Sequence, residues 1–365
     1  MSFLVSPGVH VREIDLTNVI PSVNTTIGAV AGAFEKGPVS SVTSISSEEE
    51  LVEIFGKPTS TSNQFESWFS ASNFLQYSNH IKVVRCESAV LNAGANSGIL
   101  IRDEDHYEAS FSTGQGSHGE WTARTAGTWG NSIGVQICAT ATSFEQVLSG
   151  SNLTVGEDAA GATTLEVDDA DLSGNAFNVG DLISFFSDSS GTVPVDEFNE
   201  YDVVSISSDT LTIRLKDDPN GAGLQNTIPD NSYIRRKWKY HDLFANAPGT
   251  SQWATDNARG SGDEMHVVVY DTTGDITGYD ADVAGQRGSS VIETFASMSK
   301  SSVARTAQGN SNYYADVIFR ESNFIYWTDH ISAGTNWGTD TTSTYTVVHP
   351  ITIDELTGGT TDHAV

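Results

Sequence analysis

Cysteine is nearly absent. Only Cys86 and Cys138 occur in 365 residues, 138 − 86 = 52 positions apart. No disulfide framework can staple such a chain, and both are expected to be reduced, buried thiols of a protein made in a cytoplasm. Long apolar runs are missing too. The longest reach four or five residues, as in VVVY at 267–270, far short of the ~20 that cross a bilayer, so no membrane insertion is expected. The opening MSFLVSPGVHVREID has no basic stretch and no extended apolar segment, and no secretory signal is expected there. Positive charge is scarce: 18 Lys and Arg stand against 47 Asp and Glu, a formal net charge of −29. Sequence-independent nucleic-acid binding needs clustered cations to replace counterions. The one basic cluster, Arg235, Arg236, Lys237 and Lys239 with Trp238 and Tyr240 between them, reads as a solvated strand edge or a domain junction. No direct nucleic-acid partner is therefore expected. The acidity suits a protein kept soluble at high concentration.

What the chain has instead is Gly, 33 of them, and many Ser, Thr and Asn. That composition favours β-rich, loop-rich structure over a helix bundle, and the length implies two or three domains. Residues 1–20 read as an extended arm. After the Pro7-Gly8 turn, Val9, Val11, Ile14 and Leu16 fall near a period of two, and no hairpin partner follows. Such a strand must pair elsewhere in its chain or with another chain.

Residues 21–90 read as the first part of an α/β domain. TTIGAVAGAFEKG is a strand of small residues. Ser46 or Ser47 caps a helix that opens with Glu48-Glu49-Glu50 and ends at Gly56 and Pro58. A second helix is predicted over about 64–77 with Phe65, Trp68, Phe69 and Leu75 on one face, then a buried strand IKVVR at 81–85. Residues 91–148 read as a β-rich inserted domain, with 149–240 as a second insertion. Residues 150–230 hold 16 acidic and 2 basic residues, a net of 2 − 16 = −14. There FNVGDLISFF, YDVVSI and TLTIRL are strands between turn clusters, forming a compact all-β module, a small barrel or sandwich. The α/β pattern resumes over 241–345. MHVVVYD (265–271) is a buried strand, SVIETFASMS (290–299) a helix with Val291, Ile292, Phe295 and Met298 on one face, and DVIFRESNFIYW (316–327) strand-like. The closing DELTGGTTDHAV shows no closing element of its own. The fold class expected is α+β multidomain, a discontinuous α/β core with inserted all-β domains and an extended N-terminal arm.

No motif for catalysis survives inspection. GQGSHG (114–119) fits GxGxxG, but EWTARTAG after it reads as strand or loop, so no helix N-terminus is there to hold a pyrophosphate. GAFEKGP (32–38) lacks the Lys-Ser/Thr of a phosphate loop. DADLSG (169–174) copies half of a calcium loop, with Gly180 where a bidentate Glu is required. HExxH does not occur, and His106 in DEDH (103–106) reads as part of a solvated turn. No catalytic residue, metal or cofactor is expected.

Several strings nevertheless carry a resemblance. SPGVHVREID, GAVAGAFEKGPV and FGKPTSTSNQFESWFSASNFLQYSNHIKVVR are followed by TAGTWGNSIGVQI, APGTSQWA, GDEMHVVVYDTTGDITG, VIETFASMSKSSVART and NYYADVI. In that order they resemble the contractile tail sheath proteins of large contractile-tailed bacteriophages, over almost the whole chain except the acidic module. The resemblance implies a structural subunit, not an enzyme, located in the virion tail and assembled in the host bacterial cytoplasm. It implies a homo-oligomer of stacked hexameric rings around a tail tube protein, with baseplate and tail terminator proteins as further partners, that contracts to drive the tube through the host envelope for genome ejection. It gives the arm, and Val9, Val11, Ile14 and Leu16 in it, the role of adding a strand to a neighbour. It also implies that 346–365 is the start of a further sheath region, so that the sequence reads as an N-terminal portion. A related contractile injection system, a tailocin or type VI secretion sheath, is the alternative. A surface glycan-binding module over 150–235 is another, opposed by its few aromatic platforms, Tyr201 and Tyr233.

Overall fold

The first strand, β1 (Gly28–Gly32), runs parallel to β3 (Ile81–Arg85), with β2 (Val42–Ile45) antiparallel on the other side of β3. Two helices make the crossover. In α1 (Glu48–Phe55), Ser47 accepts from the N–H of Glu50, while the Glu50 carboxylate accepts from the N–H and hydroxyl of Ser46 at 2.7 Å. This reciprocal arrangement satisfies donors at the helix start, and three glutamates face the positive end of the dipole. Gly56, at φ 82°, ends the helix with its N–H on the carbonyl of Val52. The second helix, α2 (Gln64–Leu75), buries Trp68 and Ala71. It lies so close to β1 that a side chain at Gly28 would meet the Phe74 ring and one at Gly32 would meet Ser67; the small residues of β1 permit this approach. Phe34, Leu51, Phe55, Trp68, Ile81 and Val83 form the core of this unit. Phe69, expected on the buried face, is 47% exposed.

This is a computed structural model, and it describes residues 27–60, 64–148, 153–167, 177–218, 220–278, 290–332, 334–348 and 351–361. The arm with Val9, Val11, Ile14 and Leu16, and the DADLSG string, lie outside the described residues.

Beyond β3 come α3 (Glu104–Ser110), β4 (Trp121–Ala123) and β5 (Ile133–Cys138). The DEDH string is helical, not a turn: Asp103 caps α3 by accepting from the N–H of His106 at 2.9 Å. Then α4 (Ala141–Phe144) leads into β6 (Glu145–Val147), β7 (Thr164–Glu166), β8 (Leu182–Phe186), β9 (Tyr201–Ser207), β10 (Thr210–Leu215) and β11 (Tyr233–Lys237). These six strands form one antiparallel sheet in the order β6-β11-β8-β9-β10-β7. Its core includes Leu165, Phe177, Phe185, Tyr201, Leu211 and Ile234.

The chain then forms α5 (Gln252–Asp256), β12 (Glu264–Asp271), β13 (Val291–Ser299), α6 (Tyr314–Glu321), β14 (Ile325–Trp327), the short pair β15 (Gly334–Thr335) and β16 (Thr346–Val347), and β17 (Ile351–Glu355). The central sheet is antiparallel in the order β13-β12-β5-β17. The stretch 91–148, expected as a separate insertion, thus places β5 beside β12, inside one sheet. One face of this sheet packs on α6 and the β4–β14 pair through Trp121, Val135, Met265, Val317, Ile318 and Trp327. The other packs on Phe144, Trp238, Tyr240 and Tyr270.

Two expected elements are corrected. Residues 290–299 are a strand, not a helix. Phe295 and Met298 both reach the main core, three positions apart, because the β12–β13 register shifts between Met265 and Val267. A β-bulge has produced a helix-like spacing. Residues 316–327 are not one strand. The helix α6 buries Tyr314, Ala315, Val317 and Ile318 on one face, and the hydroxyl of Ser322 accepts from the N–H of Ile325 to start β14. The closing segment is also tied in. β17 closes the central sheet, and Leu91 and Gly94 form bridges with Thr360 and Thr357.

Candidate inter-subunit surfaces and the module junction

Sheet edges come first for a chain expected to add strands to its copies. Among the described residues, β1 and β2 bound the three-stranded sheet, and β13 and β17 bound the central one, with β13 bridged at Ser299 to Tyr313 on its outer side. Val42 on β2 is 62% exposed and Ile353 on β17 is 43% exposed. A bare edge with outward apolar side chains is a template for another strand. On β17, Asp354 is pushed up to about 7 by burial and then by the charge of Glu120, and among the described residues its buried Oδ2 has no hydrogen-bond partner.

The basic cluster lies at the module junction. β11 is an inner strand, flanked by β6 and β8, so the cluster is not at a sheet edge. Arg236 is 4% exposed and sits 3.6 Å from Asp181, which is fully buried. Its Nη2 donates to the carbonyls of Thr142 and Ser143 at 2.9 and 3.0 Å. One guanidinium thus ties a strand of the module to the α4 turn of the core. Burial pushes the Asp181 carboxyl up, against the pull of Arg236. Next to it Trp238, fully buried, donates from Nε1 to Gln136 of β5 at 2.7 Å. Glu200 bridges Lys216 at 2.9 Å and Lys237 at 2.7 Å; burial raises its pKa but these bonds bring it down to about 2. Arg235 lies 4.3 Å over the Phe186 ring. Lys239 lies over the Tyr240 and Tyr270 rings, so every cation of the run is held within the fold.

Other expected residues fall where they cannot serve as proposed. Tyr201 is fully buried, its hydroxyl on Asp196, and is no platform for a sugar. Cys138 is buried, and burial pushes its thiol up to about 12, but Cys86 is exposed, contrary to expectation. The string GQGSHG runs into strand β4, not a helix. Among the described residues no three His, Cys, Asp or Glu side chains are grouped to hold a metal, and no helix is long and apolar enough to cross a membrane. Sequence reasoning missed Lys300. It is buried, and its ammonium donates to the carbonyls of Ala139, Gly262 and Glu264 at 2.9, 2.7 and 2.6 Å. Burial lowers its pKa to about 8.

No family model matches the chain. It is 36% identical over 114 residues to the tail sheath protein of Vibrio phage KVP40, covering 28% of this chain and 17% of that one. It is 37% identical over 82 residues to the tail sheath protein of Enterobacteria phage T4, covering 22% of this chain and 12% of that one. These matches support a tail sheath family. The aligned part spans less than a fifth of the length of either relative. A solved structure of a sheath tail protein from Listeria innocua aligns with 56% of this chain and 32% of that chain, at 14% identity and a TM-score of 0.19.

The GTWGNS string, one carrier of the resemblance, has a defined place. Thr128–Ser132 is a 3-10 turn, and Asn131 accepts from the N–H of Gly359 at 2.8 Å and donates to its carbonyl at 3.0 Å. The string anchors the closing segment to the core.

Proposed function

We propose that this chain is a structural subunit of a contractile phage tail sheath. The observation that carries this reading is the 36–37% identity to the tail sheath proteins of two phages; both being phage proteins favours a phage tail over a secretion apparatus. The subunit polymerises as stacked hexameric rings around a tail tube, and arms such as residues 1–20 add strands to neighbours' sheets. The outer strands β1 and β2 of the three-stranded sheet give such strands a place to pair. The baseplate triggers contraction, a terminator caps the stack, and the stroke drives the tube through the envelope. The free energy is stored at assembly: a gap of a few kcal/mol per subunit between two lattices, summed over many copies, suffices for an irreversible stroke without nucleotide.

The test is electron microscopy of the expressed product and of a variant lacking residues 2–18. Striated tubes of uniform diameter are expected from the intact chain, and folded subunits that do not polymerise from the variant. A product that never forms tubes or rings, alone or with a tail tube, refutes the sheath reading. Normal tubes from the variant refute strand exchange through the arm.

A further inference from the structure

A cavity of about 510 Å³ opens between α3 and α6. Its walls are aromatic: Tyr107, Tyr313, Phe319 and Trp327. They are rigidly held. Tyr107 packs in one cluster with Tyr326, at 4.1 Å between ring centres, and Phe319, at 5.4 Å, and its hydroxyl donates to the carbonyl of Trp327 at 2.6 Å. The Trp327 indole donates to Tyr314 at 3.1 Å. At the rim stand the carboxylates of Glu108 and Asp316, both exposed. Among the described residues neither is in an ion pair, and neither Lys nor Arg lines the cavity. His330 adds no positive charge at neutral pH, since burial lowers its pKa. Arg124 already lies 5.9 Å over the Phe319 ring, and the remaining aromatic walls, Tyr107, Tyr313 and Trp327, with the two unneutralised carboxylates are complementary to an ammonium group.

The same chain has few ammonium groups to offer. Of its seven lysines, Lys300 is buried, Lys216 and Lys237 are paired with Glu200, Lys36 lies over Trp129, and Lys239 over Tyr240 and Tyr270. Only Lys57 and Lys82 are exposed, both on the α/β unit, and neither is in an ion pair among the described residues. We infer that the aromatic cavity between α3 and α6 receives Lys57 or Lys82 from a second copy of this chain. A pocket on one surface filled by a side chain from another surface is a heterologous contact, which propagates into rings or helices. For a chain of net charge −29, it also places a cation where two acidic copies must meet. The inference rests on the self-assembly proposed above.

The experiment mixes ¹⁴N- and ¹⁵N-labelled chains, lets them assemble, and treats them with a carbodiimide, which joins carboxylates to amines without a spacer. Mixed-isotope crosslinks between a peptide holding Glu108 or Asp316 and one holding Lys57 or Lys82 are expected. The double variant E108Q/D316N should lose these crosslinks and need about five- to tenfold more protein to assemble. Charge exchange, E108K/D316K combined with K57E/K82E, should restore assembly that either pair alone lacks. Assembly of E108Q/D316N at the wild-type concentration, or crosslinks from these carboxylates only within one chain, overturns the contact and leaves the sheath reading standing. A wild-type chain that stays monomeric at every concentration overturns self-assembly and this contact with it.

Discussion

Arg236→Met tests how the acidic module is fixed to the core. The substitution keeps an apolar stem of similar length and removes the guanidinium. Asp181, fully buried, is left without its cation at 3.6 Å, and the carbonyls of Thr142 and Ser143 each lose a charged donor. Breaking a buried pair from one side costs about 3–5 kcal/mol, because the remaining charge stays desolvated. Removing both sides costs less. The double variant Arg236→Met/Asp181→Asn should lose only ~1–2 kcal/mol, since replacing both partners leaves no buried charge. The pH dependence follows from the direction of the Asp181 shift. Its folded-state pKa is raised by burial, so its ionised form weakens the fold, and that cost disappears as pH falls and the carboxyl takes a proton. Without Arg236 the carboxyl rises further, so the deficit of Arg236→Met should shrink between pH 7.5 and pH 5. Urea unfolding followed by tryptophan fluorescence is the assay, because Trp238 sits at this junction. A loss below ~1 kcal/mol for Arg236→Met, or single-variant losses that add to the double within ~0.5 kcal/mol, refutes a coupled ionic lock.

Asp354, pushed up to about 7 by burial and Glu120, contributes stability that is present below about pH 4 and lost as pH rises to about 7. Asp354→Asn should therefore stabilise the chain by ~2–4 kcal/mol at pH 8 and hardly at all at pH 4, read from urea midpoints; a pH-independent difference refutes the buried carboxyl. With a thiol reagent, Cys86 should react at once in the native chain and Cys138 only after denaturant is added; two fast thiols would refute the buried position. A side chain at Gly98 would collide with the Gly358 carbonyl oxygen. Gly98→Ala should cost ~1–3 kcal/mol and speed hydrogen exchange at Leu91 and Gly94, whose N–H groups donate to Thr360 and Thr357; unchanged exchange refutes the docking of the closing segment.

Local chemistry was legible in the sequence wherever the cause is local. Ser47, the three glutamates and Gly56 announce α1 because caps and dipoles act within one turn. The alternation in YDVVSI and TLTIRL announces β9 and β10, which pair as a hairpin over a two-residue turn. What failed depends on distant partners. The spacing of Phe295 and Met298 is set by a bulge opposite Met265 and Val267, which no window around 290–299 contains. DVIFRE is helical because Tyr314, Val317 and Ile318 find a core face made by β4, β5 and β14. Lys300 lies in the string SMSKSSVART without any signal. Its three carbonyl acceptors come from positions 139, 262 and 264, and only the tertiary structure brings them together. The aromatic cavity is invisible for the same reason, since Tyr107 and Trp327 are 327 − 107 = 220 residues apart in sequence.

The acidity of the module, which dominated the composition, has in part a structural explanation. Several of its carboxylates act as acceptors for backbone N–H groups, two of them in tight turns. Asp188 takes the Ser190 hydroxyl and the N–H groups of Val193 and Thr192, which hold it below the ordinary carboxylate range. Asp218 accepts from the N–H of Ala222, helped by that of Asn220. Asp230 accepts from the N–H of Gly156 across 74 positions. Inside, Asp196 is held by Tyr201, Asn199 and Asn226. Of the other acids, buried Asp181 and Asp202 and half-buried Glu200 face Arg236, Arg214, Lys216 and Lys237. A sheet of short strands needs many turns, Asp is the side chain that closes turns by accepting N–H groups, and each such turn adds a charge. Part of the net charge in this module is thus a by-product of its turn chemistry. The unneutralised pair Glu108 and Asp316, set over aromatic rings outside the module and closing no backbone turn between them, is the arrangement that calls for a partner.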